Sequence, residues 1–204
     1  MIVLPIAYFG NLEYFWHFTV NSKVSIDCHE PYVKQSYRNR AEIYGANGRL
    51  NLSVPVERPY GAQSKTNQIL ISNAENWKKN HWKSIESAYR RTPFYEFYAE
   101  QIKDILFEDY KSLIDLNIAL TNHFIHKLGI DCEVEILTAT PPFLDNDLRL
   151  NLSPKKESKF ESKPYIQTFS DRNPFIPNLS ILDLLFNEGP NSICILQDAK
   201  INQL

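Results

Sequence analysis

The first 28 residues pass from an apolar run, through a short aromatic stretch, into a second apolar run, and no other feature restricts the fold as much. Residues 2–9 read as a buried strand, 11–20 as a helix and 23–28 as another strand. Two strands joined by a helix over so short a span pair in parallel, as a βαβ unit. A parallel sheet is covered on both faces, so the remaining chain must supply helices to pack against it.

Residues 38–44 and 49–56 flank Asn47-Gly48, a strong hairpin signal. A type I′ turn there pairs Ile43 with Leu52 and Arg40 with Pro55, and sets Glu57 opposite Arg38. Ile43, Leu50, Leu52, Val54 and Val56 then form the apolar face, on which the Asn39 amide also falls and needs partners. Helices are expected over 73–90, with Ser72 and Glu75 as a capping box, over 93–108, and from Ser112 to Gly129. A last helix spans Ser180 to Asn187 and stops at Gly189-Pro190. Residues 132–138 and 192–196 read as strands. The 139–165 segment reads as a polar, loop-rich insert in which Leu148, Leu150 and Leu152 alternate as in a short strand. The expected architecture is α/β or α+β: one domain over 1–204, with a mixed sheet, the N-terminal βαβ unit and hairpin, and about five helices.

Composition narrows the function. The charges nearly cancel, 22 Lys and Arg against 24 Asp and Glu, which argues against a binder of duplex nucleic acid. Six glycines are too scattered to write G-x-G-x-x-G or a Walker A loop. Three cysteines without a C-x-x-C pair suit a reducing compartment, and with no apolar run long enough to span a membrane the expected location is the cytoplasm. Whether a cofactor is used stays open. His123 and His126 lack further ligands at metal spacing, so no metal site is expected.

Asp27 and His29 stand two apart at a strand end, where a carboxylate can orient an imidazole for general-base work. The same spacing also fits an ordinary surface-facing strand end. Lys34, Arg38 and Arg40 follow; on an extended chain the two arginines share a face roughly 7 Å apart and suit a phosphate or carboxylate. Arg38 could instead pair with Glu57. His81 lies on the apolar face of its helix with Trp77 and Ile85, where it is either a satisfied core residue or part of a site.

Leu4-Pro5 through Tyr14-Phe15, Tyr32 through Tyr37-Arg38-Asn39-Arg40 and on to Val54-Pro55-Val56, Trp77 to Phe97, and Phe175 through Asn178, Ser180 and Asp183 to Gly189 resemble the WbqC-like family, found in gene clusters for bacterial O-antigen and other surface polysaccharides. Leu4 stands where that family usually has Gln, and 139–165 replaces a longer middle region. The resemblance implies a cytoplasmic bacterial enzyme that modifies a sugar or an activated precursor. The resulting expectation is a transferase acting on an anionic small molecule, an activated sugar or acyl/aminoacyl precursor. Asp27 and His29 would manage the proton, Lys34, Arg38 and Arg40 would hold the anion, and Asn39, His81 and Asn178 would bind the substrate. The alternatives are a non-catalytic scaffold of a polysaccharide-assembly complex, using Tyr32, Tyr37 and Trp82 as an exposed patch, and a binder of single-stranded nucleic acid. The oligomeric state is open, a homo-oligomer included.

Overall fold

The computed structural model describes residues 2–143 and 147–202. β1 (Ile2–Pro5), α1 (Leu12–Val20) and β2 (Lys23–Asp27) form the expected βαβ unit. β1 and β2 pair in parallel, Ile2 opposite Val24 and Pro5 opposite Asp27. β1 is shorter than the apolar run, because the chain turns after Pro5 and takes Phe9 to a φ of 42°. α1 starts where Asn11 accepts a hydrogen bond from the Tyr14 N–H, a local N-cap.

The chain then makes the hairpin of β3 (Arg40–Gly45) and β4 (Gly48–Ser53). Its register is two residues away from the expected one: Ile43 faces Leu50 and Ala41 faces Leu52. Only Gly48, at φ 101°, has a positive φ in the turn, so the two left-handed central residues of a type I′ turn are not formed. A shift of two preserves the faces, since side chains alternate with period two. β5 (Val56–Glu57) pairs with β6 (Leu70–Ile71), and Arg38 meets Glu30 rather than Glu57.

Three helices follow: α2 (Trp77–Tyr89), α3 (Tyr95–Phe107) and α4 (Leu113–Leu128). The Ser72/Glu75 capping box does not form; α2 begins after Asn76 without a side-chain cap. Its Trp77, His81, Ile85 and Tyr89 all face the core, as their four-residue spacing requires. α4 has the expected ends, a Ser112 cap and Gly129 in the left-handed conformation. β7 (Glu133–Ile136) then pairs with β2, completing a parallel sheet in the order β1-β2-β7.

In the polar insert, α5 (Leu148–Asn151) replaces the expected short strand, because the Asp147 carboxylate caps the Arg149 N–H and starts a helical turn. β8 (Phe160–Glu161) pairs with β9 (Lys200–Ile201). α6 (Ile181–Glu188) carries the expected Ser180 cap. The expected strand at 192–196 is instead α7 (Ser192–Gln197), which follows a 3₁₀ turn and packs on α1. A short apolar run bears no periodicity that separates a strand from a buried helix.

The fold class is α+β. Among the described residues the strands divide into one parallel sheet and three antiparallel pairs, and do not join in the expected single mixed sheet. One apolar cluster runs from Leu4 in β1 to Leu196 in α7. Among the described residues no helix is long and apolar enough to cross a membrane.

Candidate functional site

Parallel α/β sheets present their ligands at the carboxyl ends of the strands, because helix N-termini and loops gather there. At that edge β2 ends in Asp27, a fully buried carboxylate. It accepts hydrogen bonds from the His29 backbone N–H at 2.8 Å, the Thr140 hydroxyl at 3.2 Å and Arg149 Nη1 at 2.8 Å. Arg149, also buried, donates to Asp147 and to the carbonyls of Pro141 and Pro142. Its hydrogen bonds to Asp147 raise the guanidinium pKa further.

A second buried pair joins the first. Arg38 donates through Nε at 2.8 Å and through Nη2 to Glu30, while Nη2 also reaches the Arg149 carbonyl at 3.0 Å. Burial pushes the Glu30 carboxyl up to about 7, against the opposing pull of Arg38. The Arg38 carbonyl is held by the Asn117 amide of α4. Arg38 is therefore spent inside the protein; it braces the 29–38 loop.

His29 stands half-buried at the border of this network. Its ring does not meet Asp27; Nδ1 lies 3.2 Å from the Asn67 amide, and Nε2 has no partner among the described residues. Asp27 positions His29 through the backbone. The short 3₁₀ helix Thr66–Gln68 carries Asn67 and is tied to the same loop by the Thr66 N–H on the Glu30 carbonyl.

Arg40 and Arg58 are half-buried, and neither forms an ion pair among the described residues. Both lie close enough to Tyr32 to favour its phenolate, though burial outweighs them and lifts Tyr32 to about 12. Arg40 Nε, Asn39 Oδ1, Thr66 Oγ1 and Asn67 Oδ1 are buried without a hydrogen-bond partner among the described residues. Buried polar atoms are rarely left unsatisfied, and these four leave hydrogen-bonding capacity on the segments 39–40 and 66–67.

The other expected site residues lie apart or are engaged. Lys34 is exposed at the loop surface. Asn39 donates to the Val54 carbonyl and locks the hairpin base. His81 is buried with Nδ1 2.8 Å from the Tyr8 hydroxyl, and burial lowers its pKa to about 4. Asn178, left-handed at φ 55°, accepts from the Glu13 N–H and donates to the Glu13 carboxylate, capping α1. Trp82 is buried and Tyr32 and Tyr37 are half-buried, so these three do not form the exposed patch expected of them.

The WbqC-like protein family model matches residues 7–157, which include every residue of this edge. The chain belongs to the WbqC-like family. Within the family match lie His29, Arg40, Arg58 and the Asp27–Arg149 and Glu30–Arg38 pairs; Asn178 and α6 follow it. The chain is also similar to "Uncharacterized protein Rv1507c" of Mycobacterium tuberculosis, 26% identical, with 78% of this chain and 80% of that protein covered. No solved structure matches the chain.

Sequence reasoning missed Glu30, Arg58, Asn67 and Arg149. Glu30 directly follows His29, and Arg149 is a lone arginine in a leucine-rich turn of the insert, but the spacing of neither points to its partner. Asn67 carries no signal at all; only the folded loop brings it to His29.

Proposed function

We propose that the chain is a cytoplasmic enzyme of bacterial surface-polysaccharide metabolism, a transferase acting on an anionic activated sugar or an acyl or aminoacyl precursor. The observation that carries this reading is the half-buried His29, held at Nδ1 by Asn67, on the same loop as Tyr32, which lies within electrostatic reach of two arginines without ion pairs among the described residues, Arg40 and Arg58. A fold that needed stability alone gains little from buried ion pairs, because desolvation offsets most of their attraction. Here the Asp27–Arg149 and Glu30–Arg38 pairs set the loop that carries His29.

In this reading Arg40 and Arg58 hold the anionic group of the donor, with Lys34 drawing it in from the loop surface. His29 Nε2 accepts the proton of the acceptor nucleophile as the new bond forms, and returns it to the leaving group as the old bond breaks. Asp27 acts through the backbone of His29, and Arg38 through the loop that both share.

The test is a thermal-shift screen of nucleotide sugars, acyl donors and aminoacyl donors, followed by turnover assays on any hit. A true donor raises the melting temperature by mass action. Arg40→Met/Arg58→Met should remove that shift, whereas His29→Asn should keep it and lose turnover. A panel without a hit, or a hit indifferent to the arginines, refutes the assignment.

A further inference from the structure

The hairpin β3–β4 carries Arg40 at its base; nearer its tip, Tyr44 packs on Phe169, a lining residue of a cleft that the proposed reaction does not use. The cleft has a volume of about 420 Å³, within the range of small-molecule sites. One wall is the N-terminal approach to α3, with Arg91 and Pro93; the other is the segment 166–172.

That segment would be a free polar loop, yet buried hydrogen bonds hold it in place. The Tyr165 hydroxyl and the Gln167 amide both donate to Asp183 Oδ2, at 2.7 and 2.8 Å. Gln167 also brackets Ile176, donating to its carbonyl and accepting from its N–H, each at 2.9 Å. The Phe169 ring packs edge-on against Tyr44 of β3. Rigid backbone is what a binding loop needs to present donors without an ordering cost at the moment of binding.

The donors it presents are of one kind. Arg91 is exposed in the wall, and its guanidinium has no partner among the described residues. Arg172 touches the adjacent Asp171 through Nε at 3.2 Å, which leaves both terminal amino groups of its fork uncommitted. Thr168 Oγ1 is buried without a partner among the described residues, and Ser170 also lines the cleft. Asp171 is the one carboxylate in the lining, set against two guanidiniums. Phe169 and the strongly exposed Ile166 add apolar surface to the same lining.

We propose that this cleft binds a phosphorylated small molecule, its phosphoryl group between Arg91 and Arg172 and its organic part against Phe169. Two planar forks and two hydroxyls match the many acceptor sites of a tetrahedral phosphate better than the two oxygens of a carboxylate. The volume exceeds what the phosphoryl group alone fills, and the apolar part of the lining gives the rest of the molecule a surface. The site is separate from His29 and does not rest on the proposed reaction.

Phenyl phosphate is the probe, followed by isothermal titration. Arg91→Met/Arg172→Met should weaken its binding about tenfold or more, since it removes charge-assisted hydrogen bonds, while the melting temperature of the free protein stays unchanged. Arg40→Met/Arg58→Met should leave this component intact, which separates the cleft from the His29 site. Phe169→Ala should weaken phenyl phosphate but not inorganic phosphate, and phenylacetate should bind more weakly than phenyl phosphate. Binding lost only with Arg40 and Arg58 overturns the proposal, as does equal affinity for phenylacetate. Binding sensitive to Arg91 and Arg172 that appears on phosphatidic acid vesicles and not with phenyl phosphate also overturns it, in favour of a membrane surface.

Discussion

Arg149 donates to two carboxylates and two backbone carbonyls, and Asp27 depends on it for its counter-charge. Arg149→Met would leave Asp27 buried and uncompensated, a change that costs about 3–5 kcal/mol when one partner of a buried pair is removed. Equilibrium denaturation should show that loss, and Asp27→Asn/Arg149→Met should recover much of it; equal losses in both variants would discount the pair. Asp183 behaves differently, having no cationic partner. Burial lifts its carboxyl from 3.8 to about 6, against the hydrogen bonds from Tyr165 and Gln167. The native state thus keeps a proton that the unfolded chain has released, so its contribution is full below about pH 4 and is lost as pH rises through 6. Asp183→Asn should lose this dependence, and the stability gap between wild type and variant should change by up to about 3 kcal/mol across that window. Melting curves across that window that stay parallel would contradict it.

Elements whose ends are set by local chemistry are the ones legible in the sequence. Ser112 and Gly129 bound α4, and Ser180 starts α6, because caps act within a few residues. α5 and α7 were not legible: a short alternation of leucines and a short apolar run fit either structure until Asp147 caps one and α1 packs on the other. The same limit applies to the site. The strand end at Asp27 and the arginine-rich 32–40 stretch are visible as sequence, but the assignment of Arg38 to Glu30 and of Asp27 to Arg149 depends on long-range packing. At the end of α6, Gly189 takes φ 52° and ψ −123°, and a Cβ there would come within 2.4 Å of the Phe94 ring. Gly189→Ala should therefore cost clearly more than the roughly 1 kcal/mol expected from the backbone alone, and more than Gly129→Ala, where a Cβ meets open space. Paired denaturation curves of the two variants provide the comparison, and equal losses would show that Phe94 moves aside.

The family match ends at residue 157, but the core does not. Leu182, Leu184, Leu185, Phe186 and Leu196 are fully buried, α7 packs on α1, and the Trp16 ring N–H donates to the Ala199 carbonyl. A fragment of residues 1–157 should expose that apolar face, bind a hydrophobic dye and melt without a cooperative transition. A sharp transition from the fragment would show that residues 158–202 are an accessory layer. Asp27 and Arg149 stand 122 residues apart along the chain. In the folded chain each charge is shut away from solvent beside the other, and whatever solvates either group has to leave as they meet. A half-docked α5 would strand both charges in a medium that tolerates neither. The pair therefore ties the Asp147–Asn151 turn to the end of β2, and the two should open in one step in hydrogen exchange.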